Sequence, residues 1–109
     1  MDMIRLAGVD EIPPGTMKAF TIGTATILVV NRAGIYYALD NRCTHMGGDL
    51  SKGKLEGSVV TCPRHKSRFD VTNGAVLSGP KIPLFRIKID PVRTYAVKTE
   101  AGQIYVAIK

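Results

Sequence analysis

Long apolar runs are missing from this chain. The strongest uninterrupted one is ILVV at 27–30, far short of the ~20 residues that cross a bilayer as a helix, so no membrane partner is expected. The opening MDMIRLAGVDEIPPG lacks a basic segment followed by an apolar core. No signal peptide is therefore expected, and the expected location is the cytoplasm. Helical periodicity, heptads, internal repeats and low-complexity tracts are also lacking. Cysteine and histidine are scarce, with two of each. In a reducing compartment two cysteines point to metal ligands or free thiols rather than a disulfide.

The remaining composition is that of a folded protein, 45% hydrophobic and 22% charged. Its 109 residues suit one domain, 1–109, with a modest core to which a bound metal would contribute stability. The formal net charge of +6 points to acidic partners. Nucleic acid is not among them, because no basic helix or aromatic–basic stripe is present.

Short β-branched and aromatic runs recur between glycine, proline and asparagine. They predict strands near 3–6, 17–22, 24–31, 34–39, 58–61, 67–71, 85–90, 95–99 and 103–108. FRIKID at 85–90 alternates, with Phe85, Ile87 and Ile89 on one face. NRAG (31–34), TNGA (72–75) and EAGQ (100–103) read as hairpin turns, and Pro13-Pro14-Gly15 as an early loop. The expected fold is all-β, an antiparallel sandwich or barrel of short strands.

Both cysteines and both histidines fall in two short segments, NRCTHMGGDL (41–50) and TCPRHKSRFD (61–70). The pattern is Cys43-x-His45, a spacer of sixteen residues, then Cys62-x-x-His65. Gly47, Gly48 and Pro63 mark both as loops, each offering one thiolate and one imidazole. Two buried free cysteines with two surface histidines is the plain alternative. A tetrahedral zinc site takes two cysteines and two histidines, but zinc fingers place both cysteines first and carry the second half on a helix. A binuclear iron–sulfur cluster suits the alternating order better, with both thiolates on one iron and both imidazoles on the other.

The segment 43–69 resembles a Rieske [2Fe-2S] site, whose pattern is C-x-H, a spacer and C-x-x-H. CTHMGG resembles the first family loop, CP-x-H-x-S-x-F-D the second, and GPKIPL (79–84) the proline loop that covers the cluster. The resemblance implies a Rieske-like antiparallel sandwich with a small two-loop cluster-binding part at about 41–84. It also implies one [2Fe-2S] cluster per chain on Cys43, His45, Cys62 and His65, with Met46, Gly47, Ser67 and Pro83 around it. Three departures stand out. Arg64 replaces a frequent tryptophan, Lys66 replaces a usual glycine, and extra residues follow PLF (83–85) before the last hairpin.

With two ferric ions, two sulfides and two thiolates, such a site is formally neutral when oxidised and carries one negative charge when reduced. Histidine ligation places the family at roughly −150 to +300 mV. This chain is expected near the low end. Gly48 and Arg64 stand where high-potential members have a bracing cysteine pair, and Phe69 where they have a tyrosine. Ser67 matches a serine that donates a hydrogen bond to the cluster. The implied function is a one-electron carrier, without a catalytic site of its own, between an acidic reductase and a terminal oxygenase or other oxidoreductase. Docking is expected near His45, Arg64, His65 and Lys66. A small subunit of an assimilatory nitrite reductase and, less well fitted, a structural zinc module are the alternatives.

Overall fold

A computed structural model describes residues 3–43, 48–64, 66–78 and 90–107. Eleven strands are present among them: β1 (Met3–Gly8), β2 (Thr16–Ile22), β3 (Ala25–Arg32), β4 (Ile35–Asp40), β5 (Lys54–Glu56), β6 (Val59–Thr61), β7 (Arg68–Asp70), β8 (Val76–Ser78), β9 (Thr94–Tyr95), β10 (Val97–Glu100) and β11 (Gln103–Ala107). They form three antiparallel sheets in the orders β1-β11-β10, β2-β3-β4-β9 and β5-β6-β7-β8. The expected all-β architecture is what the chain adopts.

The ILVV run lies in β3, where its four residues are buried. A strand with one wet face would alternate, whereas an unbroken apolar run marks burial on both faces. Ile27 and Val29 point into a core shared with Ile12, Ala38, Ile104 and Val106. Leu28 and Val30 point the other way, toward Leu39, Leu50, Val60, Phe69, Val71 and Val92. The first core joins the second sheet to the β1-β11-β10 sheet. The other seats the β5-β6-β7-β8 sheet, and Cys43 and Cys62 belong to it.

The turns follow the residues that favour them. Ala33 and Gly34 join β3 to β4, and Ala101 and Gly102 join β10 to β11, all four with positive φ. Such pairs match the right-handed twist of two-residue hairpins. Gly74 has φ +78, and a Cβ there would run into the carbonyl oxygen of Val92. That close approach lets the Val92 N–H donate to the Gly74 carbonyl at 2.9 Å, while the Asp40 N–H donates to Arg93. Residues 92–93 thereby strap the third sheet to the second.

Several expectations shift. The strand near 95–99 divides into β9, which pairs with β4, and β10, which pairs with β11. β5 and β8 were not expected, because KLE and VLS are three residues long and carry almost no periodic signal. The strand expected at 85–90 lies outside the described residues except for Asp90, which is in no strand. GPKIPL also lies outside them.

Leu28 is fully buried at the junction with the cysteine-bearing core. Leu28→Ala should cost about 3 kcal/mol, the middle of the range for a buried leucine truncated to alanine, measured by guanidinium unfolding.

Candidate metal centre

The two cysteine segments are loops closed in the same way. After β4 the Cys43 N–H donates to the Gly48 carbonyl at 2.8 Å, and after β6 the Cys62 N–H donates to the Ser67 carbonyl at 2.8 Å. In each loop a cysteine amide reaches the carbonyl five residues on. The second loop links β6 to β7 and inherits its place from the Thr61–Arg68 pair.

The first loop lacks flanking strands of its own and is held by polar clips instead. Asn41 donates from Nδ2 to Asp49 Oδ1 at 2.6 Å, and its Oδ1 accepts from the Ser51 N–H at 2.8 Å. The Ser51 N–H and hydroxyl both donate to Asp49 Oδ1. Arg42 and Asp49 make an isolated backbone bridge, and Leu50 plugs the core beneath. The Ser51 hydroxyl bond is the main cause holding the Asp49 carboxyl below its ordinary 3.8. Sequence reading missed this clip. Its signal was the Asp49-Leu50-Ser51 capping pattern with Asn41 eight residues upstream.

These closures bring the two cysteines together although eighteen residues separate them in the chain. Both are buried free thiols in one core cluster, and Cys43 lies near enough to act on the Cys62 thiol. Burial pushes the Cys62 thiol up to about 11; the Cys43 neighbour adds to the rise, and the Arg64 N–H and guanidinium oppose it. A soft cation would relieve both costs by replacing the thiol protons.

Three further features fit a group seated on these sulfurs. A Cβ at Gly48 would lie 2.6 Å from Cys62 Sγ, so only glycine leaves that face open. The Ser67 hydroxyl is buried without a partner among the described residues, and such a group calls for an acceptor. Gly48 and Arg64 do face each other, since the same Cβ would lie 3.4 Å from Arg64 Cβ. They are thus placed as a bracing cysteine pair would be, but the arginine stem fills the gap. Phe69 is fully buried, and Lys66 is exposed with φ 65. His45, Met46, Gly47, His65 and Pro83 lie outside the described residues.

Against known proteins, residues 2–105 match the model of the Rieske [2Fe-2S] domain. The chain belongs to the Rieske [2Fe-2S] domain family. A relative from a Ralstonia species, the ferredoxin component of naphthalene 1,2-dioxygenase/salicylate 5-hydroxylase systems, is 36% identical over 97% of this chain and 95% of its own length. The ferredoxin of carbazole 1,9a-dioxygenase from Nocardioides aromaticivorans IC177 superposes with a TM-score of 0.86 at 32% identity, over the whole of both chains. A ferredoxin solved in complex with the oxygenase of carbazole 1,9a-dioxygenase superposes at 0.84 with 30% identity, over 95% of this chain and all of that one. These relatives are electron carriers of dioxygenase systems rather than their catalytic subunits. Membership implies a [2Fe-2S] cluster, and the paired thiols, open glycine and orphaned hydroxyl suit one.

Two outcomes are expected. Gly48→Ala, which crowds Cys62 Sγ, should purify with less iron and sulfide per chain while circular dichroism keeps the β signature. Asp49 has a depressed pKa in the folded chain, so its contribution is present above the ordinary 3.8 and lost as pH falls through the folded value. Asp49→Asn should therefore lower the Tm at neutral pH and flatten its decline below pH 3.8, in thermal unfolding followed across acid pH.

Proposed function

We propose that this chain, a single Rieske domain over 1–109 with its cluster-binding part at about 41–84, is a one-electron carrier serving an oxygenase. One observation carries the reading: two matched loops, remote in sequence, bring Cys43 and Cys62 into one buried core cluster. In this reading Cys43, His45, Cys62 and His65 hold one [2Fe-2S] cluster per chain, with Met46, Gly47, Ser67 and Pro83 around it. Bound there, the cluster supplies reversible one-electron storage.

The chain's own residues set the terms of that storage. Cys43 and Cys62 give up their protons to bind metal, and their burial keeps water from the sulfurs. Ser67 Oγ is free to donate toward the seated group, which favours added negative charge. Phe69 leaves out the second hydroxyl that would do the same, which keeps the potential low for the family. Docking takes place near His45, Arg64, His65 and Lys66, where Arg64 and Lys66 are exposed on the second loop. The partners are an acidic reductase as donor and a terminal oxygenase as acceptor, in the reducing cytoplasm. The naming of relatives as ferredoxin components, and the ferredoxin–oxygenase complex among them, support a carrier over a nitrite reductase small subunit.

The test is EPR of anaerobically purified protein before and after dithionite, with iron, sulfide and zinc counted on the same sample. A silent oxidised form should become a rhombic signal with the lowered average g of mixed histidine–cysteine ligation. Zinc with no signal after reduction would leave a structural clip instead. Ser67→Ala should keep that signal and lower the midpoint potential in a redox titration.

A further inference from the structure

The charges on the third sheet are sorted by rung. Lys54, Thr61 and Arg68 are register partners on β5, β6 and β7, so their side chains share one face. The rung two residues along, Glu56, Val59 and Asp70, puts its charges on that same face but with the opposite sign. The basic rung is the one next to the loop that begins at Cys62, and the acidic rung lies away from it.

The basic rung floors an open groove of about 460 Å³ whose walls include Pro63 and Lys66 of that loop and Lys52 from the turn before β5. Four cations thus line one concavity with a single carboxylate, Glu56. Glu56 approaches Lys54 at 3.8 Å with both side chains mostly exposed, a pairing that neutralises little. Lys52 acts only weakly on the Asp49 carboxyl, the smallest of the influences that lower it. Among the described residues no carboxylate lies within ion-pair distance of Lys66 or Arg68.

Neither feature helps the fold. Lys54 and Arg68, on either side of Thr61, place like charges on one face two strands apart, and such charges repel. Lys66 sits at φ 65, a backbone conformation that glycine adopts without cost and lysine does not. Strain retained at one residue is a pointer to use, and this residue lines the groove.

We infer that the groove is the docking site for a carboxylate-rich surface segment of the redox partner. The segment would lie along the Lys54–Thr61–Arg68 rung beside the cluster loop. This deepens the carrier reading and rests on it. The cations are spread over two strands, the turn before β5 and a loop, so an extended polyanion can meet them all where one small anion cannot. The groove lining holds no aromatic ring for a base to stack on, which favours carboxylates over single-stranded nucleic acid. The sorted rungs make a surface dipole that attracts an acidic segment at the loop end and repels it at the far end, fixing orientation as well as affinity.

The experiment uses the iron-loaded protein and a fluorescent hexaglutamate peptide, with anisotropy read at low salt and after added salt. Lys52→Glu/Arg68→Glu alters the groove. Lys18→Glu/Lys98→Glu makes the same change in net charge outside it, at exposed lysines paired with Glu11 and Glu100. The groove variant should bind about tenfold more weakly and the outside variant within about twofold of the parent, with binding lost as salt rises. Equal weakening in both variants, or no binding by the parent at low salt, overturns the proposal. So does an oligothymidylate of the same length that displaces the peptide from the groove. Iron content and the reduced EPR signal of the same samples test the carrier reading separately, so a failed groove and a failed carrier give different results.

Discussion

Burial of β3 on both faces is the constraint on which the rest depends. Ile27 and Val29 hold the β1-β11-β10 sheet, and Leu28 and Val30 hold the smaller β5-β6-β7-β8 sheet together with both cysteines. That small sheet has strands of only three residues and would not stand alone. Val60 and Phe69, paired across β6 and β7, anchor it to the shared core. The thiols are therefore part of the hydrophobic core, and whatever loosens β3 loosens them.

This placement has an electrostatic consequence. A thiol in an apolar core resists ionisation, as the raised Cys62 shows, and two neighbouring thiolates would resist it further. The metal-free core is at ease only with protonated sulfur, while metal binding requires thiolate. A cluster held by these sulfurs would displace their protons as it bound, and its binding free energy would add to that of folding. The two loops are prepared for it differently. The second is held by the β6–β7 ladder, whereas the first relies on the Asn41–Asp49–Ser51 clip and the Leu50 plug. Of the two loops, the first is the one whose hold includes a carboxylate kept below its ordinary pKa.

Charge adds a further layer on the outside of the same small sheet. The alternation of Lys54 with Glu56 and of Arg68 with Asp70 has a period of two, so in strands the members of each pair share a face rather than opposing one another. A net charge of +6 is thereby converted into a directed field beside the cysteine loops. Neither the groove nor the strained Lys66 belongs to the buried core, and under the proposed docking both would face the partner.

Fold class and the pair of cysteine-bearing segments are legible in the chain alone. ILVV announces an apolar strand, Gly34 and Gly102 announce tight hairpins, and C-x-H with C-x-x-H gathers both cysteines and both histidines into two segments. All of these are local patterns, set by backbone geometry and the spacing of side chains. Tertiary structure alone decided that Cys43 and Cys62 meet, that Gly48 must lack a side chain because Cys62 Sγ lies against it, and that Ser67 is left without a partner. It also decided that β5 and β8 exist and that the predicted strand at 95–99 serves two sheets. The reason is physical: a three-residue strand has too few residues to show a period and is held by ladder bonds and core contacts from elsewhere. Contacts between remote loops depend on register, which no single segment carries.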